Sequence, residues 1–193
     1  MSQLTTNQIR EMAFKNQDIT QLDVSHITNM NGLFKDMDLF NQDISQWDVS
    51  NVTDMSEMFF RCFPFDQDLS KWDVSNVTDM STMFSWCESF NQDLSKWNVS
   101  NVTDMSEMFC LCESFFQDLS NWKLNIAVKT NFMFQNSKLE KVFGSMKSED
   151  LIKKSYLVSY ILEGKQLEGE PKDRYEYLKY LNKKNELEAK IDD

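Results

Sequence analysis

Residues 40–64 read FNQDISQWDVSNVTDMSEMFFRCFP, and residues 65–89 read FDQDLSKWDVSNVTDMSTMFSWCES. The second stretch repeats the first without an insertion, and the register extends in both directions. Gln-Asp-[Ile/Leu]-[Ser/Thr] begins at Gln17, Gln42, Gln67, Gln92 and Gln117, a spacing of 25 residues each time. Val24, Val49, Val74, Val99 and Leu124 share one column, and Phe34, Phe59, Phe84, Phe109 and Phe134 share another. A unit of this length cannot bury its own apolar face, so neighbouring units must stack around one continuous core.

Within a unit, Ile44, Trp47 and Val49 have the L-x-x-L-x-L spacing of a leucine-rich repeat, and Trp47 and Val49 alternate about Asp48 as a short strand requires. Met55, Met58, Phe59 and Cys62 then fall at i, i+3, i+4 and i+7, one face of a short helix. The unit reads as strand, turn, short helix and return loop. The motif M-F-x-x-C-x-x-F, followed by an apolar strand and N-V-T-x-M, resembles the BspA-type leucine-rich repeat of bacterial and protist surface proteins and some large viruses, over about residues 16–143. The resemblance implies a right-handed solenoid of parallel strands with an adhesion or protein-binding role and no catalytic residues. The expected fold class is therefore α/β, a right-handed leucine-rich-repeat-like solenoid of about five 25-residue turns with short parallel strands and helical caps at both ends.

The ends depart from the repeat. Residues 1–15 read as a helical cap with Ile9, Met12 and Ala13 on one side, 16–144 as the repeat array, and 145–193 as a C-terminal helical cap or tail. In that last part Ser148–Glu163 is apolar around most of its circumference, and a second helix is expected from Pro171 through Leu187.

The 193 residues carry a net charge of −11, most of it in the repeat array. That sign is wrong for neutralising phosphates or anionic lipid, which argues against nucleic-acid binding. No apolar run reaches the roughly 18 residues of a membrane span, so membrane insertion is not expected. The start of the chain shows neither a basic n-region nor an apolar h-region, which reads as a cytoplasmic or host-intracellular protein unless a signal has been removed.

Columns identical in every unit are explained by stacking. Asp18, Asp43, Asp68, Asp93 and Asp118 are expected to accept from nearby backbone amides rather than to hold a cation. Asn51, Asn76 and Asn101 match glycosylation sequons but read as a ladder bonded to neighbouring backbone. Cys62, Cys87 and Cys112 form a small buried column, and neither they nor Cys110 has metal-site spacing with the single His26. No metal, cofactor or catalytic residue is expected, and the chain reads as no enzyme. Recognition should sit where the copies differ. Phe60, Arg61, Phe63, Trp86, Leu111 and Phe116 gather large side chains in successive units, and are the candidate partner-binding residues. The function expected is a noncatalytic protein–protein interaction module whose partner is an unidentified protein or a second copy of itself; the alternative is a surface adhesion or glycan-binding protein.

Overall fold

The computed structural model describes residues 3–145 and 147–155. Three helices occur among them: α1 (Thr6–Phe14), α2 (Lys138–Phe143) and α3 (Ser148–Lys154). Between α1 and α2 the backbone is a succession of tight turns, with isolated parallel bridges joining Asn29 to Asp54, Asp54 to Asp79, Asp79 to Asp104 and Asp104 to Lys129. This corrects the expected α/β solenoid: there is no run of parallel strands and no helix within the unit, and the backbone does not resemble a parallel-strand leucine-rich solenoid.

The reason lies in where the amides go. At the expected strand, Trp47 N donates to Ile44 O at 3.1 Å and Val52 N to Val49 O at 2.9 Å, so both are closed turns. At the expected helix, Met58, Phe60 and Cys62 donate three residues back, to Met55, Glu57 and Phe59. The amides between them leave the unit altogether: Glu57 donates to Ser81 O, Phe59 to Met83 O and Arg61 to Ser85 O, at 2.9, 2.9 and 3.0 Å. A helix would use every one of these amides internally. A strand would use none locally. Glu57 and Arg61 permit the alternation because both sit in the left-handed region, at φ 56° and 62°. Spacing alone cannot separate this geometry from a helix, since a series of three-residue turns also brings i and i+3 to one side.

The core is the stacked column the repeat requires. The rings of Phe34, Phe59, Phe84, Phe109 and Phe134 follow one another at 5.5–5.7 Å, and those of Phe40, Phe65, Phe90 and Phe115 at 5.9–6.0 Å. Within a turn the two rows touch at 4.0–4.1 Å. Methionines 30, 55, 80 and 105 and the Val49, Val74 and Val99 column are buried beside them. Polar atoms carried into this core are satisfied in register. Trp47, Trp72, Trp97 and Trp122 donate Nε1 to Ile19, Ile44, Leu69 and Leu94 carbonyls at 2.9–3.2 Å. Cys62, Cys87 and Cys112 donate Sγ to the Phe34, Phe59 and Phe84 carbonyls at 2.9–3.1 Å. All four cysteines are free and buried.

The ends are closed by different means. Thr5 and Gln8 form a reciprocal capping box that starts α1, and Ile9 and Ala13 lie against the first turn. Arg10 on the same helix donates to the Gly32, Leu33 and Lys35 carbonyls. At the other end α2, which begins where the fifth copy ends, starts at the Ser137 cap and buries Leu139, Val142 and Phe143. Helix α3 begins at Ser148 as its apolar pattern suggests, with Leu151 and Ile152 buried, and Ser155 Oγ accepts from Leu119 N at 2.7 Å. The rest of the expected Ser148–Glu163 helix and the one from Pro171 lie outside the described residues.

Deleting one ring should break the stack. Phe84→Ala leaves a cavity touching Phe59, Phe90 and Phe109 and is expected to lower unfolding free energy by about 3–5 kcal/mol. A urea midpoint equal to wild type would show that the ring is not core. Arg10→Ala strands carbonyls at the first edge and should cost about 1–3 kcal/mol in the same assay. Stability should also depend on acid. Serines two residues on donate chiefly their hydroxyls to Asp43, Asp48 and Asp73 and an amide to Asp68, holding these carboxyls below the usual carboxylate range. Their contribution is present above the unfolded value of about 4 and is lost as pH falls through the folded values. Thermal scans should therefore show Tm dropping as pH is lowered from about 5 toward 2, and a Tm flat over that range would contradict the assignment.

Candidate binding surface

Two positions in each turn have positive φ. One column is Gly32, Glu57, Thr82, Glu107 and Phe132, and the other is Asp36, Arg61, Trp86, Leu111 and Asn136, all between φ 55° and 64°. Glycine adopts this region freely, and Asn and Asp tolerate it. Any other residue there costs roughly 1–2 kcal/mol. The outer members of the second column, Asp36 and Asn136, are of the tolerant type. The three central members are Arg, Trp and Leu.

Arg61 and Trp86 of this column cluster with Phe60, and Leu111 follows at the same position one turn on. The Arg61 guanidinium lies 5.3 Å from the Phe60 ring centroid and 6.0 Å from that of Trp86, and 3.7 Å from an Asp36 carboxylate oxygen. Lys35 Nζ also lies 5.3 Å from the Phe60 ring centroid and pairs with Glu57. Arg61 and Trp86 are exposed, Trp86 by 36%, while Phe60 and Leu111 are half-buried. The arrangement is an aromatic surface with a cation beside it, and the cation is only loosely neutralised by a half-exposed carboxylate.

Two of the six candidate residues stand apart from this cluster. Phe63 is half-buried and has no ring or charge contact with the others. Phe116 is 4% exposed: its ring stacks on Phe143 of α2 at 5.9 Å, with Lys138 Nζ 6.0 Å above it. It belongs to the joint between the fifth turn and α2. Sequence spacing placed it on the surface because a column position says nothing of α2, which lies past the end of the repeat and folds back over it.

The faithful columns behave structurally. Asp18, Asp43, Asp68, Asp93 and Asp118 each accept from the amide two residues on, at 2.8–3.0 Å. Asn51, Asn76 and Asn101 donate Nδ2 to the Ser25, Ser50 and Ser75 carbonyls at 2.7–2.8 Å. His26 Nε2 lies 2.8 Å from the Leu4 carbonyl, tying the N-terminal segment to the first turn. Burial pushes the Cys62 thiol up to about 12 and those of Cys87 and Cys112 well above their ordinary value, the direction opposite to that of a nucleophile. Among the described residues no group of three or more His, Cys, Asp or Glu side chains is placed to hold a metal ion, and no helix is long and apolar enough to cross a membrane.

Sequence reasoning missed the left-handed columns, although a signal for them was present. Gly32 opens one column, and Asp36 and Asn136 bracket the other, which is the residue set that marks positive φ.

No curated protein and no solved structure matches the chain. A family match spans residues 1–109 and 50–144, and so takes in α1, all five turns and α2. The segment that matches is the one built on the repeated register, and the chain belongs to the family described as Mycoplasma protein of unknown function, DUF285.

Proposed function

We propose that this protein is a noncatalytic protein-interaction module that binds a protein partner through the strip of Phe60, Arg61, Trp86 and Leu111. One observation carries the reading: Arg, Trp and Leu occupy left-handed positions at which Gly, Asn or Asp would be more stable. Packing gives no compensation of the kind a core residue receives, since Arg61 and Trp86 are exposed. A strained, exposed Trp with an Arg guanidinium 6.0 Å from its ring has the chemistry of an interface anchor. Charge sets the partner's character. The strip offers one cation on a chain of net charge −11, so a partner with an apolar pocket and a carboxylate near it would complement the strip.

The strain also supplies the test. Trp86→Gly removes the side chain but suits φ 64°, so Tm should hold or rise while partner affinity falls about thirtyfold, the effect of losing a central anchor worth about 2 kcal/mol. Affinity capture with wild-type and variant chains, followed by titration of the recovered partner, measures the loss, and sedimentation of each chain alone reads self-association. A Trp86→Gly chain that binds as wild type would remove the strip from the interface.

A further inference from the structure

The bonding between turns is directional. Along Met30–Asp36 and its equivalents, amides at alternate residues face the following turn and carbonyls face the preceding one, whereas the Thr53, Thr78, Thr103 and Lys129 amides donate back to the preceding turn. At the first turn the outward carbonyls of Leu33 and Lys35 are taken by Arg10 Nη1 and Nη2 at 2.9 and 2.8 Å. At the fifth turn only one outward amide is provided for, that of Asn136, which donates to Glu140 Oε2 at 2.8 Å. The backbone amides of Thr130, Phe132 and Phe134 donate to no described acceptor, although Thr130 Oγ1 donates to Glu149 Oε1 at 3.0 Å and the Thr130 carbonyl accepts from Ser148 Oγ at 2.9 Å. Their counterparts one turn earlier, Met105, Glu107 and Phe109, donate to the Lys129, Asn131 and Met133 carbonyls at 2.8–2.9 Å.

Two further features lie at the same place. An open cleft of about 560 Å³ runs along this edge, lined by Thr130, Phe132 and Phe134 on one side and Lys147, Ser148 and Leu151 on the other. Phe132 is 64% exposed at its rim and holds φ 55°, a position taken by Gly32 in the first turn. A bulky aromatic in the left-handed region and in water is neither a turn former nor a core residue.

We propose that this edge is a peptide-docking site, distinct from the Arg61–Trp86 strip and independent of it. The occupant is a segment of a partner protein that adopts the path of one further turn. Its alternate carbonyls accept from Thr130, Phe132 and Phe134, and an apolar side chain covers Phe132. The site continues the interface that every turn makes with the next, and that continuity fixes what fits: carbonyls at alternate residues, running parallel to the fifth turn, with an apolar contact at the rim. The first turn of a second copy does not fit, because Arg10 already bonds its Leu33 and Lys35 carbonyls. Helices α2 and α3 cover the core behind the edge, so a single segment is accommodated and a whole stacked domain is not.

The probe is the blocked octapeptide DMSTMFSW, the sequence of Asp79–Trp86, whose Asp79, Ser81 and Met83 carbonyls accept from the second turn. Titrated into the isotope-labelled full chain, it should shift the amide resonances of Thr130, Phe132 and Phe134 and slow their hydrogen exchange, whereas a scrambled octapeptide should not. Phe132→Gly keeps the amide and suits the backbone, so the fold persists while peptide affinity falls by about tenfold, the loss of one modest apolar contact. Trp86→Gly should leave that affinity unchanged. The proposal is overturned if the peptide perturbs other amides or none, or if Phe132→Gly binds it as tightly as wild type. It is equally overturned if Phe132 and Phe134 in the free chain exchange as slowly as Glu107 and Phe109, since the edge would then already be filled by this chain or a second copy.

Discussion

Each turn closes on itself with only alternate amides, and the amides between must find carbonyls one turn further on. Met58, Phe60 and Cys62 satisfy the local half, and Glu57, Phe59 and Arg61 the inter-turn half. A buried amide without a partner costs about as much as a lost hydrogen bond, so neither half is optional. The 25-residue register follows from this. Sliding one turn by a residue would aim locally bonded amides at the next turn and leave the outward ones facing their own backbone. The aromatic rows enforce the same register, because each Phe ring must lie over its counterpart at 5.5–6.0 Å. A polar ladder and an apolar stack thus specify one alignment.

The alternation requires positive φ twice in every turn, and this is where structure and function meet. In the outer turns Gly32, Asp36 and Asn136 meet the requirement cheaply, and Phe132 does not. In the central turns neither Arg61, Trp86 and Leu111 nor Glu57, Thr82 and Glu107 do so, and the core contacts of Met58, Phe59, Cys62 and their equivalents must hold the backbone there. A fully buried Phe contributes about 1.5–3 kcal/mol, enough to sustain a left-handed residue costing about 1–2. The faithful columns therefore give the scaffold a surplus that the variable columns spend on exposed, unfavourable residues. The same logic applies at the edges. Arg10 occupies carbonyls that would otherwise pair with another chain, whereas the amides beside Phe132 are left to the cleft.

Much of this was legible in the chain itself. The register, the burial of Phe34 through Phe134, the Trp and Cys columns and the helix that ends at Phe14 all follow from periodicity and residue type. The secondary structure did not. Trp47 and Val49 alternate as strand residues do, and Met55 to Cys62 recur as helical residues do, but both spacings also fit tight turns, and only the destination of each amide separates the cases. Phe116 was misplaced for a different reason: Lys138–Phe143, where Glu140 breaks the Phe40–Phe115 column, folds as a helix over it. A column read as repeating says where a residue lies along the stack. It does not say what covers it from outside.

Backbone angles and amide exchange measured together in solution at Glu57, Arg61, Thr82 and Trp86 bear most directly on this architecture. The alternation predicts positive φ at all four residues and slow exchange of their amides, each of which donates to the next turn. Negative, helical φ through Met55–Cys62 and Met80–Cys87, with amides bonded four residues back, would contradict it.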